Sequence, residues 1–140
     1  MARLDLNGLD EAVEELARMG QLAGPVADDM LRAGSVPMVD AWKDAITRFG
    51  HVKTGTMREN VKPTKIKTRL GERTIDVYPQ GYDRTDRKKP TRNAEKAFVL
   101  HYGRRNMDAS HFVDKAVADG GPLAQDAMEK RWDEFVEKGR

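Results

Sequence analysis

Apolar residues recur every three to four positions over the first 50 residues of this chain. They recur every second position between 64 and 78, and every three to four again from 94 onward. A stripe that is continuous on a helix is scrambled on a strand, so a chain whose hydrophobic period switches this way must set a short β element between helices. The expected class is α+β, and 140 residues suit one domain spanning 1–140.

Asn7 suits an N-cap, and Asp10, Glu11, Glu14 and Glu15 favour the positive end of the helix that follows. Leu9, Val13, Leu16 and Met19 share a face, so an amphipathic helix is expected from about Gly8 to Met19. Gly20 and Gly24 are expected to open a connection. Pro25 then begins a long second helix, with Val26, Met30, Ala33, Pro37, Ala41, Ala45 and Phe49 in phase up to Gly50. Gly34 and Pro37 should kink that helix, or Ser35 should cap a separate one.

From Thr64 to Leu70 the residues alternate, with Lys65, Lys67 and Arg69 on one face and Thr64, Ile66, Thr68 and Leu70 on the other. Gly71-Glu72 can turn the chain, and Ile75 and Val77 then point inward, giving a small antiparallel hairpin over about 61–79. Two strands are marginal alone, so the long kinked N-terminal helix and the C-terminal helices must cover them. Residues 80–93 offer little to bury and read as a basic, flexible loop. A short helix follows from Ala94 to Tyr102, stopped by Gly103. The C-terminal part starts at Asp108 or Ser110 as N-cap, breaks at Gly120-Gly121-Pro122, and carries Leu123, Ala127, Met128, Trp132, Phe135 and Val136 on one face. Trp42 and Trp132 sit at core spacing.

Hydrophobic residues make up only 39% and charged residues 34%, so the core must be modest and much surface is left for solvent or partners. The net charge of +2 hides a segregation. Residues 1–50 carry 5 basic and 9 acidic side chains, residues 51–105 carry 15 and 6, and residues 106–140 carry 5 and 8, for nets of −4, +9 and −3. The segments can neutralise one another within the fold, or can present a positive face to an acidic protein or to phosphate. Cysteine is absent, which excludes disulfides and thiolate metal sites. No stretch is apolar enough for a signal peptide or a membrane span, so no membrane partner is expected.

Few residue patterns carry chemistry. His51, His101 and His111 lack the spacing of a zinc site, Glu14-Glu15 and Asp28-Asp29 fall on solvated helix faces, and Gly120-Gly121-Pro122 lacks the lysine and hydroxyl of a phosphate loop. No catalytic, cofactor-binding or metal-ligating residue is assigned, and no enzyme is expected. Candidate interaction residues are the basic ones: Arg84, Arg87, Lys88, Lys89 and Arg92 in the loop, with Arg104 and Arg105 after the short helix. Tyr78 and Tyr82 are the aromatics near them, too few for a single-strand stacking platform.

Three short motifs carry a resemblance. Thr54-Gly55-Thr56-Met57 follows a long helix and precedes paired strands. Val99-Leu100-His101-Tyr102-Gly103 ends an apolar segment, and His111-Phe112-Val113-Asp114-Lys115-Ala116 opens a helix on an aromatic. In this order, over about residues 8–116, they resemble the neck or tail-completion proteins of long-tailed bacteriophages, which are minor tail components. The matching positions are Thr54, Gly55, Met57, His101, Tyr102, Gly103, Phe112 and Ala116. The chain departs from the pattern in having His101 for an acidic residue, Arg104 for a small polar one, and no proline before Phe112. The resemblance implies a virion structural protein, made in the host cytoplasm, that forms a homo-oligomeric and sixfold ring. Such a ring joins a head connector or stopper protein to a tail terminator or tail tube protein and lets DNA pass through its lumen. The alternative suggested by the +9 segment is a small basic DNA-binding or regulatory phage protein.

Overall fold

The computed structural model describes residues 6–138, with side chains from residue 24 onward. Its elements run α1 (Leu6–Arg48), α2 (Thr56–Glu59), β1 (Val61–Pro63), β2 (Lys67–Arg69), β3 (Glu72–Thr74), β4 (Val77–Pro79), β5 (Tyr82–Asp83), β6 (Thr91–Arg92), α3 (Asn93–Tyr102) and α4 (Phe112–Lys138). The fold is α+β, with a long N-terminal helix, small two-stranded antiparallel pieces and a C-terminal helix packed as one body.

The two helices expected in the first 50 residues are one, 43 residues and roughly 65 Å long. Neither the connection expected between Met19 and Pro25 nor a cap at Ser35 interrupts it. Ser35 is buried mid-helix and its hydroxyl donates back to the Arg32 carbonyl at 2.7 Å, which satisfies it without ending the helix. Asn7, expected as the cap, already lies inside the helix.

The break expected at Gly120-Gly121-Pro122 is also absent, since α4 continues through all three. The antiparallel packing of α1 on α4 explains both results. A Cβ on Gly34 would come within 2.8 Å of the Met128 side chain, and a Cβ on Gly120 within 2.8 Å of Ala41 Cβ and Met38 Sδ. These glycines let two helix backbones approach, and the contact surface gained outweighs the flexibility and the missing proline donors.

The hairpin expected over 61–79 is present. β1 pairs with β4, Val61 facing Pro79 and Pro63 facing Val77, and β2 pairs with β3 at its far end. Its turn lies one residue earlier than expected. Leu70 and Gly71 occupy it with φ of 52° and 79°, so both have the left-handed sense of a tight hairpin turn. The tip of this hairpin is exposed on both faces, and Leu70 belongs to its turn. Leu70, expected inward, is 99% exposed.

The core is small. Trp42, Ile46, Met57, Val61, Ala97, Phe112 and Ala116 form its buried centre, and Phe112 meets Trp42 edge-to-face at 5.8 Å. Trp42 packs there as expected, but Phe49 and Trp132 are exposed. Phe49 follows the last turn of α1, and Trp132 lies in the last turns of α4.

Candidate assembly interface

Residues 80–93, expected as a flexible loop, keep an exposed loop over 84–90 that is closed at its base by a short second hairpin. Tyr82 pairs with Arg92 and Asp83 with Thr91. What anchors it is polar. Asp83 is 5% exposed and accepts hydrogen bonds from Thr54 Oγ1 at 2.9 Å, Thr85 Oγ1 at 2.5 Å and the Thr85 amide at 2.9 Å, and it pairs with the Lys96 ammonium. The Lys96 bond first, then those from Thr85 and Thr54, hold its carboxyl well below the usual carboxylate range against the opposing effect of burial. Asn93 is fully buried beside it, donating to the Gln80 carbonyl at 2.8 Å. Burial criteria based on hydrophobicity overlook such an anchor. An Asp followed two residues on by Thr was the available clue, since Asp side chains accept from the amide two positions ahead.

This node explains the first motif. Thr54 reaches Asp83, Gly55 takes a φ of 81°, and Met57 enters the core, so the loop between α1 and α2 is tied to the second hairpin and to α3. Thr54 does little to cap α2, its contact with the Thr56 amide being 3.5 Å long.

The basic residues divide into two groups. Arg84, Arg87, Lys88, Lys89 and Arg92 all lie exposed on the second hairpin. Arg84 and Arg92 each lie 5.6 Å from the centre of the Tyr82 ring, and Arg92 Nε donates to the Tyr82 hydroxyl at 3.1 Å. Arg104 and Arg105 belong instead to a tight turn in which Arg104 and Met107 exchange backbone hydrogen bonds at 2.9 Å. Arg104, Lys53, Lys96 and Thr91 line a cleft of about 490 Å³ with Met57, Val99, Leu100 and Met107. Its rim is basic and its floor apolar.

The second and third motifs meet across the start of α4. Gly103 ends α3 with a φ of 79°, and a Cβ there would come within 2.7 Å of the Ala109 amide and the Met107 carbonyl. Ser110, expected as a cap, donates instead to the Leu100 carbonyl at 2.6 Å. The first-turn amide of Val113 donates to His101 Nδ1 at 3.3 Å, so His101 caps α4 from the neighbouring helix. Phe112 and Ala116 are fully buried.

Sequence spacing did not foresee two juxtapositions. His101, His111 and Asp114 bring one ligand-type atom each within 4.8 Å of one another. Because His101 Nδ1 accepts the Val113 amide, its other nitrogen carries the proton toward Asp114 Oδ1, 3.8 Å away, and a metal on that nitrogen would move the proton to Nδ1, which could then no longer accept the amide. The cluster fits a helix-start clamp better than a metal centre. His51 Nε2 lies 3.1 Å from Ser110 Oγ. The Ser110 proton is committed to the Leu100 carbonyl, so His51 donates rather than accepts and does not activate the hydroxyl.

α3 carries the other unforeseen feature. It buries Asn93, Ala97 and His101, and turns Phe98 and Tyr102 outward at 63% and 61% exposure, their rings 4.7 Å apart. Tyr78 extends this aromatic face toward a groove of about 580 Å³ between α1, β4 and α4, lined by Leu31, Met38, Val77, Val117 and Met128. Comparison with protein families, curated proteins and solved structures finds no match to this chain.

Proposed function

We propose that the chain is a structural subunit of a bacteriophage neck or tail, working by assembly into a ring between head connector and tail rather than by catalysis. The observation that carries this reading is the outer face of α3, which displays Phe98 and Tyr102 while its inner face buries Asn93, Ala97 and His101. Exposed aromatics beside an apolar groove are the composition of a protein interface core. The small buried core among the described residues supports it further, because a subunit with few core residues is suited to gain stability from identical neighbours. Sixfold symmetry, the head-side and tail-side partners and passage of DNA through the lumen come from the motif resemblance.

Replacing Phe98 and Tyr102 together by Ser tests the reading. Both are exposed, so the doubly substituted chain should keep its fold by circular dichroism and lose association in sedimentation at concentrations where the unsubstituted chain oligomerises. Unchanged association would remove the aromatic face from the account.

The exposed basic hairpin favours the second reading, a small DNA-binding or regulatory phage protein. Duplex DNA binding whose salt dependence falls when Arg87, Lys88 and Lys89 become Ala would support it.

A further inference from the structure

The Asp83 node holds open the basic-rimmed cleft, and the register of the helix pair indicates what could fill it. Gly34 lies against Ala124 and Met128, Gly120 against Met38 and Ala41, and Asp29 faces Arg131 at 3.8 Å. At this antiparallel register Lys138, where described α4 ends, falls beside about residue 22, and α1 continues beyond it to Leu6 for roughly four turns. That overhang carries Asp10, Glu11, Glu14 and Glu15 against a single basic residue, Arg18, with Leu6, Leu9, Val13 and Leu16 at helical spacing. By sequence, the first turns of α1 are therefore acidic and amphipathic. The same molecule has a cleft with cationic Lys53 and Arg104 at its rim and Val99, Leu100 and Met107 on its floor. Glu95 is the one carboxylate along that lining.

We propose that the cleft between the Thr54-Gly55 loop and the Arg104 turn receives the first turns of α1 from a second copy of this chain. This rests on the ring reading above and gives it a contact. The two surfaces are different parts of the subunit, so the contact is head-to-tail and repeats until the circle closes. The segregated charge of −4 in residues 1–50 and +9 in residues 51–105 then serves to select the neighbour and set its direction. Because Lys96 is engaged by Asp83, the cations available to the incoming helix are Lys53 and Arg104.

The absence of cysteine makes a cross-linking test clean. Full-length chains carrying Ala12→Cys and Asn106→Cys, which leave every charge in place, are mixed and oxidised, with Ala12→Cys plus Asp126→Cys as control. The proposal expects the mixed disulfide of the first pair to form about tenfold or more faster than the control, from the raised effective concentration in a docked complex. In parallel, Lys53→Glu with Arg104→Glu should abolish association in sedimentation, and combining them with Glu11→Lys and Glu14→Lys should restore it. Association that persists without preferential cross-linking or response to these charges overturns the docking and leaves the ring reading standing. A chain that is monomeric at every concentration overturns both.

Discussion

Gly120 and Gly121 stand side by side in α4 yet meet opposite surroundings. A Cβ on Gly120 strikes Ala41 Cβ, which cannot swing away, whereas a Cβ on Gly121 meets nothing within 4 Å. Gly121→Ala should therefore stabilise the fold by about 0.5–1 kcal/mol through backbone entropy alone. Gly120→Ala should lose about 1–2 kcal/mol net of that gain, because the helices must part. Thermal unfolding of the two variants should move in opposite directions, and equal shifts would refute the packing assigned to the crossing. Asp83 gives a second prediction at this scale. Its carboxyl is held below the usual range, so its contribution is fully present above the unfolded value of about 3.9 and drains away as pH falls through the folded value. Asp83→Asn should lower the unfolding temperature at pH 7, and the gap to the unsubstituted chain should close as pH is taken from about 4 toward 2. His51, whose pKa burial depresses, adds a milder loss of stability as pH drops below about 6.5 in both proteins. A gap independent of pH would mean that the charge of Asp83 does not anchor the hairpin.

At the scale of elements, the basic β5–β6 hairpin separates the two functional readings. The ring account expects duplex DNA to bind no tighter than the non-specific range of about 1–100 μM at physiological salt. Changing Arg87, Lys88 and Lys89 to Ala should then leave subunit association unaffected. Tighter DNA binding abolished by those changes would hand the function to the rival. The elements also show where sequence reasoning reaches and where it stops. The first hairpin was legible because the period-two alternation of Lys65, Lys67 and Arg69 with Thr64, Ile66, Thr68 and Leu70 marks a strand, although β2 itself is exposed on both faces. The second was not, because its anchor is a buried aspartate and asparagine, residue types that usually mark solvent. The helices were legible as periodic segments, but Gly34, Pro37, Gly120 and Pro122 read as breakers when two of them are contact points between helices. Local propensity cannot register a neighbour that arrives some 80 residues later in the chain. In α3 the outward placement of Phe98 and Tyr102 was not legible, because it follows from Asn93 and His101 being inside with Ala97.

For the whole molecule, the long α1, the small core and two unlike surfaces are what the proposed ring reading rests on. One surface is the aromatic face of Tyr78, Phe98 and Tyr102, and the other is the cleft rimmed by Lys53 and Arg104. A ring would cover both and place many weak identical contacts in parallel, so that the closed assembly is far more stable than any single contact. The most direct measurement of the proposed neck role is cryo-electron microscopy of intact particles of the phage to which the proposal assigns the chain. The account predicts density for a closed ring of these subunits at the junction of head and tail, with aromatic faces buried between components. Particles complete at that junction without this chain would contradict it.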